Sequence, residues 1–334
     1  MLVEKTLALT GIKPTGTPHL GNLVGAIAPM VEFANKSEFD VNIFVADYHA
    51  INTPEGRARL KFETKSVVAS CIAAGLRPDR CCIYRQSRVP QVFEFALFLM
   101  NFTPKGLADR AHAYKAAVQS NIEVGQDGDY RINMGLYTYP ILMAADILIF
   151  RANVVPVGRD QRQHIEFARD IAGSVNAIFP GLLELPEGFF HKENNEILGI
   201  DGRKMSKSYD NTIPIFGGRE ETKRAVMRII TDSKKPDEPK AEEGSVLLSI
   251  MQAVVDQDDY VTFKERYLAG GIGYGAAKTL LADAIEQKVS AVRDKYRQLM
   301  DDEEHVRQIL EEGEKRARSQ AQKMIDVIHS RVFY

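Results

Sequence analysis

The fold follows from sixteen residues near the start of the chain, Thr10-Gly-Ile-Lys-Pro-Thr-Gly-Thr-Pro-His-Leu-Gly-Asn-Leu-Val-Gly25. A β-branched and apolar run, residues 6–10, precedes them, and apolar residues at helical spacing follow. This order predicts a strand, a tight turn and a helix. Such a turn directs backbone N–H groups and the positive end of the helix dipole at one point, which favours a bound phosphate.

Three glycines and two polar side chains fit this interpretation. Gly11, Gly16 and Gly21 can bend the backbone through positive φ and let a ligand approach without a Cβ in the way. His19 and Asn22 place side-chain donors at the same rim. The alternative is a glycine-rich connector with an incidental histidine.

A second polar segment lies far downstream, Asp201-Gly-Arg-Lys-Met-Ser-Lys-Ser-Tyr-Asp-Asn211. A lysine supplies a mobile point charge that can follow a polyphosphate as it rearranges, and the serines add donors. The alternative is a solvated charge run.

The two segments together resemble the paired signatures of class I aminoacyl-tRNA synthetases. Residues 14–22, which end His-Leu-Gly-Asn, are similar to the first signature with its last His replaced by Asn, and residues 204–208, Lys-Met-Ser-Lys-Ser, are similar to the second. They stand in the family's order, about 185 residues apart. Residues 138–148 and 155–166 resemble the amino-acid pocket of tryptophanyl-tRNA synthetases, and the similarity runs, with gaps, over nearly the whole chain.

The resemblance implies an ATP site. His19, Asn22, Lys204 and Lys207 are the implied catalytic residues, and Mg²⁺ is expected to bridge the phosphates without a dedicated protein metal site. Lys115, on a basic helix predicted over residues 107–119, is implied to reach the phosphates; a solvated helix face is the alternative. The expected ATP-binding residues are Lys13, Pro14, Thr15, Gly21, Asn22, Lys115, Gly158, Arg159, Asp160, Ile197, Lys204, Met205, Ser206, Lys207 and Ser208.

A predicted helix over residues 134–150 carries the candidate amino-acid pocket. Tyr139, Met143 and Asp146 share one face of it, and an aspartate in so apolar a helix is costly unless something donates to it. It can pair internally, but the resemblance implies that it accepts the indole N–H of tryptophan, a donor-only group. The expected tryptophan-binding residues are Tyr139, Met143, Asp146, Val155, Val157 and Gln161, with Gln161 on the α-amino group. His164 is interpreted as structural.

Composition limits the remaining possibilities. The net charge of −2 over 334 residues gives no global basic field, so any tRNA contact must be a local patch. Three cysteines without metal-like spacing suit a reducing cytoplasm. The N-terminus lacks a basic-then-apolar signal and no apolar run is long enough for a membrane span, so no membrane association is expected.

Strand and helix patterns alternate through the first half of the chain, and helical patterns fill the second. We predict an α/β fold: a doubly wound, Rossmann-like parallel sheet in a catalytic domain over residues 1–215, with an α-helical, anticodon-binding domain over residues 216–334 whose last helix can pack back on the catalytic domain. Residues 179–200 are expected to contain the last irregular element before the second signature, and the charged residues 231–244 are the best candidate for disorder.

The predicted function is tryptophan–tRNA ligase: L-tryptophan and ATP form tryptophanyl-adenylate and pyrophosphate, and tryptophan then passes to the 3′ end of tRNA(Trp). A homodimer is expected. The alternatives are a tyrosine–tRNA ligase, a catalytically silent synthetase-like RNA-binding protein, and a nucleotidyltransferase with a related first signature. Two features depart from the common family pattern: Lys13 stands where many bacterial relatives carry glutamine, and residues 209–216 replace a short polar turn.

Overall fold

The computed structural model describes residues 6–52, 54–158, 161–190 and 196–334, with residues 54, 55, 157 and 190 described in their backbone alone. Its centre is a five-stranded, all-parallel sheet in the order β3-β2-β1-β4-β5. The predicted fold class is therefore confirmed. The strands are β1 Thr6–Ile12, β2 Phe39–Val45, β3 Cys81–Arg85, β4 Val154–Val157 and β5 Glu187–Phe190.

Strand order places the candidate site. Ala8 and Leu9 in β1, and Val41 and Ile43 in β2, are fully buried, because both faces of a parallel sheet are covered by helices. The order reverses between β1 and β4, which are neighbours in the sheet although far apart in the chain. The carboxyl ends of the strands at such a reversal leave a crevice for ligands.

Nine helices accompany the strands in the described residues up to position 190. A π-helical turn, Leu23–Ile27, joins the first two, so the residues after the opening turn form one continuous helical segment. The helices are α1 Leu20–Asn22, α2 Ala28–Ala34, α3 Asp47–Ala50, α4 Pro54–Ala73, α5 Gln91–Met100, α6 Lys105–Ala108, α7 His112–Glu123, α8 Met134–Leu148 and α9 Arg162–Ile178.

One expectation about these elements was wrong. The basic helix predicted over residues 107–119 is divided between α6 and α7, where the Asp109 carboxylate accepts hydrogen bonds from Lys105 and from the Tyr137 hydroxyl of α8. The segment 179–200, expected to contain an irregular element, also contains β5, which pairs with β4 from Val154↔Glu187 onward. The Tyr137 contact and the β4–β5 pairing join residues distant in sequence, which a local pattern does not record.

The second half of the described chain is helical. Its helix α14 covers the edge strand β3: the Cys82 thiol lies 3.2 Å from the Gly313 carbonyl and the Arg316 guanidinium donates to the Cys81 carbonyl. A Cβ on Gly313 would fall 1.8 Å from the Ile83 carbonyl oxygen, so only glycine allows this approach. The helices are α10 Arg219–Met227, α11 Val246–Val254, α12 Gln257–Ala269, α13 Tyr274–Asp301 and α14 Glu303–Ile328.

The charged segment 231–244 has a defined arrangement in place of the expected disorder. The ammonium of the buried Lys240 donates to the carbonyls of Lys235, Pro236 and Glu238 and gathers the segment into turns. In the part of the chain that the structure describes, no helix is long and apolar enough to cross a bilayer.

Candidate active site

A cavity of about 820 Å³ lies at the carboxyl ends of β1 and β4. Both signature segments and helix α8 contribute to its wall, although all three are far apart in the chain. The predicted site residues in its lining are Lys13, His19, Gly21, Asn22, Tyr139, Met143, Val155, Gly158, Gln161, Ile197, Lys204 and Met205.

The first signature forms a rigid capping box at the start of α1. The Asn22 N–H donates to His19 Nδ1 at 3.3 Å, and the Asn22 side-chain oxygen accepts from the His19 N–H at 3.1 Å. Because Nδ1 is an acceptor here, the ring proton of the neutral imidazole resides on Nε2. Burial, and secondarily the nearby Lys207 cation, lowers the pKa of His19 to about 4. His19 is therefore a neutral hydrogen-bond donor at neutral pH.

The second signature loop contacts the opening turn through its lysine at 207. Lys207 Nζ donates to the Thr15 carbonyl at 2.6 Å. Gly16 has φ +79°, a backbone conformation that favours glycine, and a Cβ there would lie 2.6 Å from this ammonium. The segment after the loop also docks on α1, where the Leu20 N–H donates to the Ile213 carbonyl at 3.0 Å.

Asn211 holds the shape of the second signature loop. Its side-chain nitrogen donates to Asp201 Oδ1 at 2.7 Å and to the Lys204 carbonyl at 3.0 Å, while its oxygen accepts from the Ser206 N–H at 2.8 Å. It is buried, and its hydrogen bond is the main cause of the Asp201 pKa falling to about 2. Sequence reasoning treated this stretch only as a departure from the family pattern, so this role was missed.

Lys204 and Met205, neighbours in the second signature loop, both line the cavity. Lys204 Nζ lies 2.8 Å from Glu196 Oε1, and both side chains are more than half exposed. Met205 is buried, and its sulfur accepts from the Gly21 N–H at 3.2 Å. The thioether thus contacts one of the N–H groups at the start of α1, beside the position expected for a phosphate.

Asp146 is fully buried on α8, behind the cavity wall formed by Met143. Its Oδ2 accepts from Gln86 Nε2 at 2.7 Å and from His49 Nε2 at 3.2 Å. Its Oδ1 has no hydrogen-bond partner among the described residues. Burial raises the pKa of this carboxyl, and the His49 and Gln86 hydrogen bonds oppose that rise.

A hydrogen-bonded chain of three side chains borders the same cavity. The Tyr139 hydroxyl lies 3.0 Å from His164 Nε2, and His164 Nδ1 lies 2.6 Å from Gln161 Oε1. All three residues line the cavity. Met143 and Val155 supply apolar walls beside them.

Several predicted residues lie elsewhere. Arg159 and Asp160 are outside the described residues, as is the side chain of Val157. Lys115 is exposed on α7, whose Ala113 faces the cavity in its place. The other predicted residues absent from the described lining are Pro14, Thr15, Asp146, Ser206, Lys207 and Ser208.

Sequence reasoning also missed four cavity or supporting residues: His49, Gln86, His164 and Glu196. A usable signal existed for His49, which lies a few residues beyond the apolar run of β2, and for Gln86, which directly follows β3 at its carboxyl end. Glu196 carried no such pattern, because its role depends on Lys204 across a turn.

Fold and site define an enzyme class. A parallel sheet whose ligand crevice joins a His-Leu-Gly-Asn helix start to a Lys-Met-Ser-Lys-Ser loop is the arrangement of a class I aminoacyl-tRNA synthetase. The sequence pattern of the family described as tRNA synthetases class I (W and Y) matches residues 3–290. The chain belongs to this family, and the predicted class is confirmed.

Within the family, the chain belongs to the tryptophanyl-tRNA synthetases. It is 44% identical over 331 residues to the tryptophan–tRNA ligase of Neisseria meningitidis, covering 99% of this chain and 98% of that one. It is similar to the crystal structure of the Campylobacter jejuni tryptophanyl-tRNA synthetase, with a TM-score of 0.85 and 36% identity over 99% of this chain and 100% of that one. The structure of the same enzyme complexed with ADP and tryptophan matches with a TM-score of 0.87 and 36% identity, over 98% of this chain and 100% of that one.

Proposed function

We propose that the cavity described above is where this chain, a tryptophan–tRNA ligase, activates L-tryptophan. The tryptophan carboxylate attacks the α-phosphate of ATP in line and pyrophosphate leaves. A ribose hydroxyl at the 3′ end of tRNA(Trp) then attacks the acyl carbon of the adenylate and AMP leaves. No protein nucleophile is needed, so positioning and charge stabilisation are the enzyme's contribution.

The ATP half of the site is assigned to the two signatures. His19 Nε2–H would donate to a phosphate oxygen, and Asn22 keeps His19 in the required tautomer. Lys204 and Lys207 would leave Glu196 and the Thr15 carbonyl to follow the phosphates. Mg²⁺ would accompany ATP on its phosphate oxygens and neutralise part of their charge. The remaining predicted contacts, from Lys13 to Ser208, are part of the same proposal.

The tryptophan half is assigned to α8 and the residues around it. Asp146 Oδ2 already accepts two hydrogen bonds, so Oδ1 is the atom left for the indole N–H. The tyrosine phenol also donates, but a rigid bicyclic ring and a phenol place their donors at different distances from the α-carbon. Met143 and Val155 would pack on the ring faces, and Gln161 would accept from the α-ammonium.

One observation carries the proposal: a single cavity brings both signatures to the helix face that bears Tyr139 and Met143. The test is amino-acid-dependent pyrophosphate exchange with each of the twenty amino acids. Tryptophan alone should support exchange. Exchange with tyrosine at a comparable rate would contradict the assignment of the pocket.

Asp146→Ala should weaken tryptophan binding roughly 10- to 100-fold, because it removes a buried charged acceptor. The smaller Met143→Leu change, which keeps the volume of a neighbouring wall, should alter binding only a few-fold. Both are measured by equilibrium binding of tryptophan and tyrosine, with circular dichroism as a check on folding. If Asp146→Ala retained the wild-type preference for tryptophan over tyrosine, the acid would not be the indole acceptor.

The helices beyond residue 215 are proposed to bind tRNA, with residues 1–215 as the catalytic domain. Four cations of α13 are occupied by protein groups: Lys278 donates to the Met227 carbonyl, Lys288 to the Val254 carbonyl, Arg293 to Glu286 and the Ile215 carbonyl, and Arg297 to the Gly217 carbonyl. Anticodon contacts are therefore expected from other exposed cations of α13 and α14.

We also propose that the chain forms a homodimer and works in a reducing cytoplasm. Phe93 and Leu97 lie four residues apart on α5, the Tyr48 ring packs 4.3 Å from the Phe93 ring, and Leu97 is 66% exposed, which gives an apolar face. All three cysteines are free and buried, as suits a reducing compartment. Light scattering of Leu97→Asp tests the interface: the wild type should be dimeric and the variant should dissociate. A wild-type monomer would contradict the proposal.

A further inference from the structure

Glu63 is a buried acid beside the opening turn of the first signature. It lies on α4 and is 7% exposed. A Cβ on Gly16 would lie 3.6 Å from Glu63 Oε1 and 2.6 Å from Lys207 Nζ. The carboxylate of α4 and the ammonium of the second signature loop therefore approach the turn at the same glycine.

Their charges make these two groups a pair. A carboxylate that has lost most of its water needs a positive partner, and Lys207 supplies one. The lysine is fixed at this place, because its Nζ donates to the Thr15 carbonyl at 2.6 Å. Burial lowers the pKa of Lys207, and the negative charge of Glu63 opposes that fall. Glu63 thus stabilises the charged lysine where it contacts the turn.

The pair holds Lys207 outside the cavity. Lys204 and His19 are part of the described cavity lining, whereas Lys207 and Glu63 are not. In the proposed function Lys207 must leave the Thr15 carbonyl to reach the phosphates of ATP. A phosphate oxygen can replace a carbonyl as acceptor, but the attraction of Glu63 must be overcome as well. The free energy needed to release the lysine therefore depends on Glu63.

A second cation is in place to compensate Glu63 once Lys207 has left. Arg59 is exposed and lies four residues before Glu63 on α4, a spacing that puts both side chains on one face of the helix. Its positive charge also acts on Lys207 and lowers the pKa of that lysine. Departure of Lys207 would relieve this repulsion and leave Glu63 with Arg59. The three charges therefore have one arrangement with the lysine at the turn and one without it.

We propose that Glu63 is a positioning residue that retains Lys207 at the opening turn until ATP binds. The inference rests on the proposed function, in which Lys207 follows the phosphates. It extends that function by making the affinity for ATP depend on an acid outside the cavity. Glu63 acts only through Lys207.

The first experiment is steady-state pyrophosphate exchange at varied ATP. Glu63→Gln keeps the shape of the side chain and removes its charge, so the KM for ATP should fall roughly 3- to 10-fold. The kcat of exchange and the KM for tryptophan should stay within about twofold, because the released lysine makes the same contacts once ATP is bound. Glu63→Asp keeps the charge on a shorter side chain and should lie between the wild type and Glu63→Gln.

Glu303→Gln is the matched control. Its carboxylate lies 3.2 Å from Lys61 Nζ of the same helix α4, and both side chains are exposed. The variant loses the same charge beside α4 but not beside Lys207, so its KM for ATP should stay within about twofold of the wild type. An unchanged or raised KM for ATP in Glu63→Gln would overturn the inference.

A double mutant separates retention of Lys207 from simple repulsion between Glu63 and ATP. In a Lys207→Ala background, Glu63→Gln should leave the KM for ATP unchanged, because the group that it retains is gone. Repulsion between Glu63 and the phosphates would instead lower the KM by the same factor in both backgrounds. That result would also overturn the inference.

Limited trypsin digestion without ATP tests the retention directly. Cleavage after Lys207, identified by mass spectrometry, should be several-fold faster in Glu63→Gln than in the wild type or Glu303→Gln, because a released loop enters the protease more often. Equal cleavage rates in the three proteins would mean that Glu63 does not hold the loop.

Failure of the inference and failure of the proposed function can be told apart. If the wild type shows no tryptophan-dependent exchange, the proposed function fails, and the trypsin comparison still tests the hold of Glu63 on Lys207. If the wild type exchanges normally and Glu63→Gln changes neither the KM for ATP nor the cleavage rate, only the role of Glu63 is wrong.

Discussion

The two signature segments meet in one cavity but are held in different ways. The first is fixed by its own backbone: His19 is 6% exposed, its capping box is closed, and Leu20 beside it is fully buried. The second presents its lysines on an exposed loop, with Lys204 59% exposed and joined to Glu196. The difference separates a preorganised half of the site from a movable half.

Each half suits its task. Donors that stabilise charge on a phosphate are most effective when they need no rearrangement, which fits a capped helix start packed on the core. Lysines that must move to admit ATP and then close on it should leave their protein partners at a small cost in free energy. An exposed ion pair, such as that of Lys204 with Glu196, contributes only about 0–1 kcal/mol. Asn211 reconciles the two demands, because its hydrogen bonds hold the backbone of the loop and not the lysine side chains.

The largest effect is expected from removing the charge of Lys204 on the movable loop. Lys204→Ala should slow adenylate formation by roughly 10²- to 10³-fold, the range found for loss of one group that stabilises transition-state charge. Tryptophan affinity should hardly change, because Lys204 is assigned to ATP. Single-turnover adenylate formation and equilibrium tryptophan binding measure the two quantities.

The matched control is Arg203→Ala, which removes the same charge from the neighbouring position, where Arg203 pairs with Asp201 and lies over the Tyr209 ring. It should retain most of the activity. A variant Lys204→Ala that bound tryptophan poorly but turned over normally would reverse the roles assigned here.

The second-largest effect is expected from removing the Asn211 side chain, which holds the second signature loop in shape. Asn211→Ala leaves the Ser206 N–H and the Lys204 carbonyl without their partner, so adenylate formation should fall roughly tenfold or more and the free energy of unfolding should drop by about 1–3 kcal/mol. Urea unfolding and pyrophosphate exchange measure these effects. Tyr209→Phe, on the exposed surface of the same loop, is the control and should be silent. Normal pyrophosphate exchange in Asn211→Ala would mean that the loop does not depend on the Asn211 hydrogen bonds.

The pH dependence of the free energy of unfolding tests whether burial keeps His19, in the preorganised half of the site, neutral. The pKa of His19 is about 4 in the folded chain and near 6.5 when unfolded. Between these values the unfolded chain binds more protons, so the free energy of unfolding falls as pH drops below about 6.5 and levels off below about 4. From pH 7 to pH 5 this group alone should cost about 2 kcal/mol.

The measurement is urea unfolding of the wild type and of His19→Gln at both pH values. The variant should lose about 2 kcal/mol less than the wild type over that interval, whatever its absolute stability. Equal losses in the two proteins would mean that His19 is not held neutral by burial.

The smallest effect is expected from Lys13→Gln, a change to the residue that the family resemblance predicts at this position. Lys13 lines the cavity and is exposed, so its contribution to substrate binding should stay below about 1 kcal/mol, or roughly fivefold in KM. Steady-state exchange at varied ATP and tryptophan measures it. A loss above roughly a hundredfold would instead place Lys13 with Lys204 among the charges that stabilise the transition state.

Local chemistry in the sequence was enough to predict the strand, turn and helix of the first signature. Its decisive contacts join residues three apart, as in the His19–Asn22 capping box, and Gly16 has the positive φ expected of it, whereas Gly11 and Gly21 do not. The shared face of Tyr139 and Met143 follows from helical period in the same way. Strand patterns alternating with helices, together with the two signatures, were also sufficient for the fold class and the family.

Only the tertiary structure decided how those elements are supported. Asp146 finds its donors 97 and 60 residues away in His49 and Gln86, β5 exists through its pairing with β4, and Gly313 is required because α14 lies on β3. The orientation of His164 between Tyr139 and Gln161 depends in the same way on how α8 packs against α9. Periodicity records neighbours within a turn or along a strand, whereas these contacts depend on strand order and on helices brought together across long loops, which no local pattern encodes.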